Sequence, residues 1–148
     1  MKRNRLYVDH LGIIVNDLSK AAAILEEVFG LQVDRIIEMK DVGVKVAFVK
    51  TQNLQLELIQ YITDDATFAK EVMGERMGLN HLCFRVKDLD GVLRQMSDAG
   101  LVPLKGFPRK GAHGRIAFLN RDKTCGIFIE LCEREDDDEG PDRETTME

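Results

Sequence analysis

One repeated phrase constrains the fold of this chain more than any other feature. The segment VDHLGIIVNDL aligns without a gap to LNHLCFRVKDL, which places His10 on His81 at an offset of 71 residues. Two more anchors keep nearly the same spacing: Gly30 falls on Gly100 at an offset of 70, and LEL at 56–58 falls on IEL at 129–131 at an offset of 73. A chain that carries two copies of one unit is expected to fold as two similar modules.

The local patterns predict the same order of elements in both copies. Apolar residues that are β-branched or alternate with polar ones predict strands, at 7–15, 31–39, 43–50 and 54–61 in the first copy and at 78–86, 101–106, 114–120 and 126–133 in the second. A helix follows the first strand of each copy, at 17–30 and 89–100, and ends on a glycine. Helical spacing assigns a core-facing stripe to each helix; its residues are Leu18, Ala22, Leu25 and Phe29, and Val92, Met96 and Ala99.

The fold class expected from this order is α+β. We predict two βαβββ modules with pseudo-twofold symmetry, whose curled mixed sheets surround a metal cleft. A single domain at 1–135 would contain module one at 6–62, a connector at 63–77 that is helical from Thr67 to about Glu75, and module two at 78–133.

The net charge of −5 is concentrated at the end of the chain. The last 16 residues hold nine acids and two arginines, so the other 132 sum to about +2. A tail of this composition has few apolar residues to bury and is expected to be disordered. Because the last predicted strand ends at residue 133, the tail is taken as 134–148. The rest of the chain has no basic stripe with interleaved aromatic residues, so nucleic acid is not an expected partner.

The sequence also predicts a cytoplasmic protein. No apolar run is long enough for a membrane span, and the N-terminus has no signal-peptide pattern. Three cysteines match no zinc or disulfide spacing, and we expect reduced thiols packed as small hydrophobic residues; they are Cys83, Cys125 and Cys132.

Two histidines and two glutamates fall at matching places in the two copies. His10 and His81 lie on the first strand of each copy, and Glu57 and Glu130 lie on the last. A pseudo-twofold axis would bring these side chains together, and carboxylates on a buried face are costly unless they are paired or bound to a metal. The four residues are therefore predicted to bind Co, Ni, Mn, Fe or Zn. Taken singly, each histidine could be a packed residue and each glutamate could point to solvent.

On these residues the chain resembles the vicinal oxygen chelate superfamily, in which paired βαβββ modules surround an H/E/H/E metal site. Within it, the chain is most similar to the methylmalonyl-CoA epimerase family. The matching phrases, in family order over about residues 7–133, are DHLGIIVNDLSKA, GVKVAFV, LQLELIQ, GLNHLCFRVKDLDGVL, GAHGRIAFL and GIFIELCE. The Asn-Trp-Gly that usually follows the second ligand of glyoxalase I is replaced here by LIQY, and the chain has no tryptophan.

The resemblance implies an enzyme that interconverts (2R)- and (2S)-methylmalonyl-CoA. A divalent metal, cobalt before nickel, manganese, zinc or iron, would stabilise the enolate that forms when the proton next to the thioester is removed. Inversion by the simplest route needs two acid–base groups, for which Glu130 is the first candidate and Glu57 lies at the corresponding place. The family also suggests an acyl-CoA partner and a homodimer.

Three places in the sequence depart from the family pattern. Some members carry an acid–base Glu where this chain has Val46, and some carry Gln where it has Glu57, so the second base is not identified by the resemblance. Many members carry His-Pro where this chain has Asn120 and Arg121. The chemistry is therefore better indicated than the acyl group.

The GAHG phrase supplies candidate substrate contacts. Its glycines suggest a turn whose backbone could approach an anion, so His113 and the neighbouring Arg115 are assigned to substrate binding, against the alternative of a loop without a role. Nearby cations could meet CoA phosphates or simply be solvated; they are Lys105, Arg109 and Lys110.

Two other functions remain open from the sequence. A glyoxalase I-like lyase or a dioxygenase would use the same fold and metal, although an iron dioxygenase normally keeps three ligands. A metal-free binding protein of the same fold would lack the ligands.

Overall fold

The computed structural model describes residues 6–64 and 66–135 of the 148-residue chain. Eight strands and three helices lie within these residues, in the order β1 Tyr7–Ile14, α1 Leu18–Glu27, β2 Gln32–Met39, β3 Val44–Lys50, β4 Gln55–Tyr61, α2 Thr67–Met73, β5 Gly78–Arg85, α3 Leu89–Ser97, β6 Arg109–Lys110, β7 Gly114–Phe118 and β8 Ile129–Arg134. The predicted α+β class and the repeated βαβββ order are confirmed. The predicted disordered tail lies, from residue 136 onward, outside the described residues. None of the helices in the described part of the chain is long and apolar enough to cross a membrane.

The chain divides into two compact units. The first unit is His10–Leu82, and the second unit combines the described residues up to Asp9 with those at 83–135, so that the boundaries fall within β1 and β5 and His81 belongs to the first unit. The strand order in the first unit is β2-β3-β4-β1, and the order in the second is β5-β8-β7-β6. In the first unit β2 with β3 and β3 with β4 pair antiparallel, whereas β1 runs parallel to β4.

Strand β3 is buried on both faces rather than on alternate residues. Val46 and Phe48 are buried as the alternation predicts, but Ala47 and Val49 are buried as well. The latter two pack with Leu18 of helix α1. The predicted strand is present, and both of its faces are buried.

The second unit differs from the sequence prediction in one strand. The predicted strand at 101–106 is wrong: Pro103 makes only an isolated bridge to Leu119, and a two-residue β6 forms at Arg109–Lys110 instead. Proline has no amide hydrogen, so the strand ladder cannot continue through this position. Strands β7 and β8 pair antiparallel, with Phe118 opposite Glu130.

Both long helices begin with the same pair of contacts, which confirms the repeat at the level of hydrogen bonds. Asp17 and Asp88 cap α1 and α3 with their side chains. The first helical amide then donates to a side chain of the last strand, from Leu18 to Gln60 Oε1 at 2.8 Å and from Leu89 to Glu133 Oε2 at 2.7 Å. These partners satisfy donors that have no acceptor within the helix.

The predicted core stripes hold for the body of each helix and fail at its end. Helix α1 stops at Glu27, so Phe29 leaves the helical period and is 67 % exposed. Likewise α3 stops at Ser97, and Ala99 is exposed. In α3 the deepest residues are Leu89 and Leu93, while Val92 and Met96 pack partly buried against the same cluster.

Candidate metal centre

His10 and Glu57 face each other on parallel strands of the first unit. Strand β1 pairs with β4 in a register that sets His10 beside Gln55 and Gly12 beside Glu57. Both side chains are buried, with residue exposures of 3 % and 8 %, and His10 Nε2 lies 3.3 Å from Glu57 Oε2. The alternative that Glu57 points to solvent is therefore wrong.

His81 completes a cluster of three. It lies on β5, is 6 % exposed, and its ring centroid is 5.6 Å from that of His10 with the planes at 85°. One ligand atom from each of His10, Glu57 and His81 lies within 4.8 Å of the other two. The first unit thus brings together two imidazoles and one carboxylate.

The absence of a side chain at Gly12 makes room for the His81 ring. A Cβ atom at Gly12 would lie 2.1, 2.4 and 2.5 Å from Cε1, Nδ1 and Nε2 of His81. Real Cβ atoms do not approach ring atoms this closely, so the ring occupies the space that any other residue would fill. The sequence interpretation missed this role, although a glycine inside an apolar strand often marks a close approach.

Asn80 contacts His81 through its side chain. Its Oδ1 lies 2.8 Å from His81 Nδ1, and its Nδ2 donates to the backbone carbonyl of Met73 at 2.7 Å. Met73 is the last residue of α2, and the next carbonyl, of Gly74, accepts from the Tyr61 hydroxyl. No sequence pattern pointed to Asn80.

Glu130 lies on β8 in the second unit and is 5 % exposed. Its charge contributes to the pKa of the Cys83 thiol, which is raised well above its usual value by burial first, then by a hydrogen bond with Cys132 and by the Glu130 charge, with a smaller effect from Asp9. Cys83 and Cys132 are buried free thiols, as expected, whereas Cys125 is exposed, so its predicted packing is wrong.

A buried carboxylate and two arginines form a second charged group in this unit. The Asp9 side chain is 1 % exposed; Oδ2 accepts from Arg85 Nε at 2.9 Å and Arg134 Nε at 2.8 Å, and Oδ1 accepts from Arg134 Nη2 at 2.9 Å. Arg134 therefore binds the carboxylate with two hydrogen bonds, the strong arrangement for this pair.

The two predicted substrate contacts lie at the β6–β7 turn. The Gly111 amide donates to the Gly114 carbonyl at 2.7 Å, and His113 lies between them, with its carbonyl accepting from the Glu135 amide. Arg115 makes two hydrogen bonds to Asp90, at 3.0 and 3.1 Å, which raise the pKa of the arginine and lower that of the carboxyl. The Arg115 guanidinium is thus held at the N-terminus of α3.

The donors of the first unit suit a transition metal. Two neutral imidazole nitrogens with a carboxylate oxygen form the kind of three-residue set that leaves coordination positions open for a substrate. A metal ion would also offset the cost of burying the Glu57 charge. The residues present therefore fit the metal expected from the sequence.

Comparisons with known proteins identify the family of the chain. Residues 9–118 match the family model of the glyoxalase/bleomycin resistance protein/dioxygenase superfamily. The uncharacterized protein YqjC of Bacillus subtilis is 35 % identical over 90 % of this chain and 95 % of its own length. An ethylmalonyl-CoA/methylmalonyl-CoA epimerase of Cereibacter sphaeroides is 31 % identical over 84 % of this chain and 95 % of its own length. The structure of a variant methylmalonyl-CoA epimerase of Streptomyces coelicolor, in complex with 2-nitronate-propionyl-CoA, superposes with a TM-score of 0.77 at 26 % identity, covering 88 % of this chain and 96 % of the other.

Proposed function

The chain belongs to the glyoxalase/bleomycin resistance protein/dioxygenase superfamily, and from this premise we propose that it is a metal-dependent methylmalonyl-CoA epimerase. The reaction interconverts the (2R) and (2S) forms by removing the C2 proton and returning it on the opposite face. The epimerase of Cereibacter sphaeroides and the Streptomyces coelicolor structure with a CoA ester support the substrate class.

The buried group of His10, Glu57 and His81 is the observation that carries this proposal. Their ligand atoms lie within 4.8 Å of one another, and all three residues are buried. A packed histidine with a role in stability alone would not explain a second imidazole and a carboxylate at the same point. The same observation disfavours a metal-free binding protein, which would lack the ligands.

Glu130 is proposed as the fourth ligand. Its support is the repeat, since it occupies in the second copy the place that Glu57 occupies in the first. When bound, a divalent metal, cobalt in the first instance, would stabilise negative charge on the thioester and carboxylate oxygens of the substrate. The residues of the chain would then have to bind the acyl group, exclude water and move the proton.

Proton transfer is assigned to the two glutamates. The C2 proton lies between a thioester carbonyl and a carboxylate, and inversion requires a base on one face and an acid on the other. Glu130 is proposed as the first of these groups and Glu57 as the second. Val46, where some relatives of this type carry a glutamate, is 4 % exposed and apolar, so it supplies no proton.

The acyl-CoA is proposed to approach the β6–β7 turn, where His113 and Arg115 lie. Arg115 would contact it while held by Asp90, which fixes its position. We further propose that the protein is a homodimer, as the resemblance of the sequence suggests, and that it is cytoplasmic, as the sequence predicts.

Solvent exchange tests the proposal. Metal-loaded protein is incubated with (2R)-methylmalonyl-CoA in D2O while the C2 proton is followed by NMR, beside a chelated sample. We expect metal-dependent loss of the C2 proton and appearance of the (2S) form. A protein that binds one metal per chain but gives no exchange would contradict the epimerase assignment and leave the metal site intact.

A glyoxalase I-like lyase is the second candidate, because it would use the same proposed H/E/H/E ligand set, in which the Glu57 position is a carboxylate. The hemithioacetal of glutathione and methylglyoxal is therefore the comparison substrate in the same assay. Turnover of this substrate without C2 exchange of methylmalonyl-CoA would favour the lyase.

A further inference from the structure

Asn80 touches His81 and a backbone carbonyl at the same time, and this double contact has a chemical consequence. From it we propose that Asn80, oriented by the carbonyl of Met73, holds His81 in the tautomer with its proton on Nδ1, so that Nε2 carries the lone pair that binds the metal. Asn80 is thus a positioning residue for a ligand. The inference rests on the proposed metal site for its purpose and for the second of its two tests, but the first test needs no metal.

The orientation of the amide follows from its partner. The Met73 carbonyl can only accept a hydrogen bond, so the group 2.7 Å away from it must be the NH2 of Asn80. The reverse orientation would place two acceptor oxygens at that distance. The amide oxygen therefore faces His81.

The orientation of the Asn80 amide in turn determines the tautomer of His81. An amide oxygen has no proton to donate, so the Nδ1 atom that lies 2.8 Å from Asn80 Oδ1 must be the donor. A neutral imidazole with its proton on Nδ1 has its lone pair on Nε2. Metal-binding histidines commonly donate their second ring nitrogen to such an acceptor, which fixes both the tautomer and the orientation of the ring.

Two hydrogen bonds of the next residue, Gly74, hold the backbone beside the Met73 carbonyl. Met73 ends α2, and Gly74 adopts a positive φ of 71° while its amide donates to Lys70. The Gly74 carbonyl accepts from the hydroxyl of Tyr61, the last residue of β4. The connector between the two copies therefore supplies a fixed acceptor to the ligand of the first unit, and this is a role beyond joining the repeats.

The tautomer can be measured without metal or substrate. Long-range 15N–1H correlation spectra of the apo-protein distinguish Nδ1–H from Nε2–H histidine, with Asn80→Ala and Asn80→Asp compared to wild type. We expect a single Nδ1–H form in the wild type, a mixture in Asn80→Ala, and recovery of the Nδ1–H form in Asn80→Asp, whose carboxylate loses the contact with the Met73 carbonyl but can still accept from His81 Nδ1. An Nδ1–H form that persists in Asn80→Ala, or an Nε2–H form in the wild type, would overturn the proposal.

Metal affinity supplies the second readout. Loss of an outer-shell partner of this kind typically weakens binding by about 10- to 100-fold, so we expect cobalt to bind Asn80→Ala weaker by this factor and Asn80→Asp much closer to wild type. Asn120→Ala is the matched control, because Asn120 makes similar contacts, accepting from Val102 and donating to Gly100, in the second unit. Equal affinities for wild type and Asn80→Ala would overturn the role in positioning. A wild type that shows the Nδ1–H form but binds no metal would support the tautomer contact and refute the proposed function.

Discussion

The residues that precede the two histidines show how the repeat has diverged. Asp9 comes before His10 and Asn80 before His81, at the same offset of 71 residues. Asp9 accepts three hydrogen bonds from two arginines in the second unit, whereas Asn80 makes two neutral hydrogen bonds in the first. Asp9 is thus held by ion pairs with two arginines. The equivalent residue Asn80 is held by a hydrogen bond to the backbone carbonyl of Met73.

The equivalent residues on the last strands follow the same division. Arg134, which binds Asp9, corresponds at an offset of 73 to Tyr61, which binds the carbonyl of Gly74. The scaffold contacts of the repeat, the helix caps and their partners on the last strand, are the same in both copies. The contacts that hold the residue before each histidine, in contrast, have diverged.

The largest loss of activity is expected for the two glutamates, one from each copy. Glu130→Gln should lower kcat by about 10²- to 10⁴-fold, the usual contribution of a positioned acid–base group, with the fold intact. Glu57→Gln should lower kcat by a similar factor, because inversion needs both groups and an amide cannot transfer the proton. Steady-state kinetics and metal content of both variants check this, with circular dichroism as the control. A Glu130→Gln enzyme with wild-type turnover would contradict the assignment.

Asp9→Ala is expected to cause the largest loss of stability. The carboxylate balances two guanidinium groups whose side chains are only 19 % and 9 % exposed. Removing one partner of a buried ionic group typically costs about 3–5 kcal/mol, which urea unfolding would measure as a lower free energy of unfolding. Asp90→Ala, which breaks the exposed pair with Arg115, is the control and should change little. Equal effects of the two variants would mean that burial does not distinguish these ion pairs.

Gly12→Ala tests the space that His81 occupies in the first unit. The added methyl must displace the imidazole, so we expect cobalt affinity to fall roughly 100-fold, at the upper end of losses seen when support of a ligand is removed. Gly111→Ala is the matched control, because the three atoms nearest to the new Cβ, at 2.9, 2.9 and 3.1 Å, all belong to the side chain of Ile116 in the second unit. Isothermal titration with cobalt gives both values. Unchanged affinity in Gly12→Ala would show that the ring can bind from another position.

These comparisons also show what the sequence could predict. The two histidines and two glutamates could be found from the sequence because they recur at nearly the same spacing in both copies. The burial of Glu57 supports the inference that this side chain faces the interior. The contact of Asn80 with Met73 could not be foreseen, because it joins a side chain to a backbone carbonyl whose position depends on where α2 ends. The strand predicted at 101–106 does not form. The apolar residues of this segment suggested strand pairing, but Pro103 has no amide hydrogen to donate to a neighbouring strand.

The smallest effect expected concerns Tyr61, the counterpart of Arg134. Tyr61→Phe removes the hydrogen bond to Gly74 and should lower the free energy of unfolding by about 1 kcal/mol near neutral pH. Tyr7→Phe is the control, since Tyr7 is 47 % exposed. Burial, with a smaller effect from the charge of Glu75, raises the pKa of Tyr61 to about 12 from 10.0. The fold therefore favours the neutral hydroxyl, whose contribution is complete below pH 10 and is lost as the pH rises through about 12. The stability difference between wild type and Tyr61→Phe should shrink over that interval, and a difference that stays constant would show that the hydroxyl is not held as the neutral donor to Gly74.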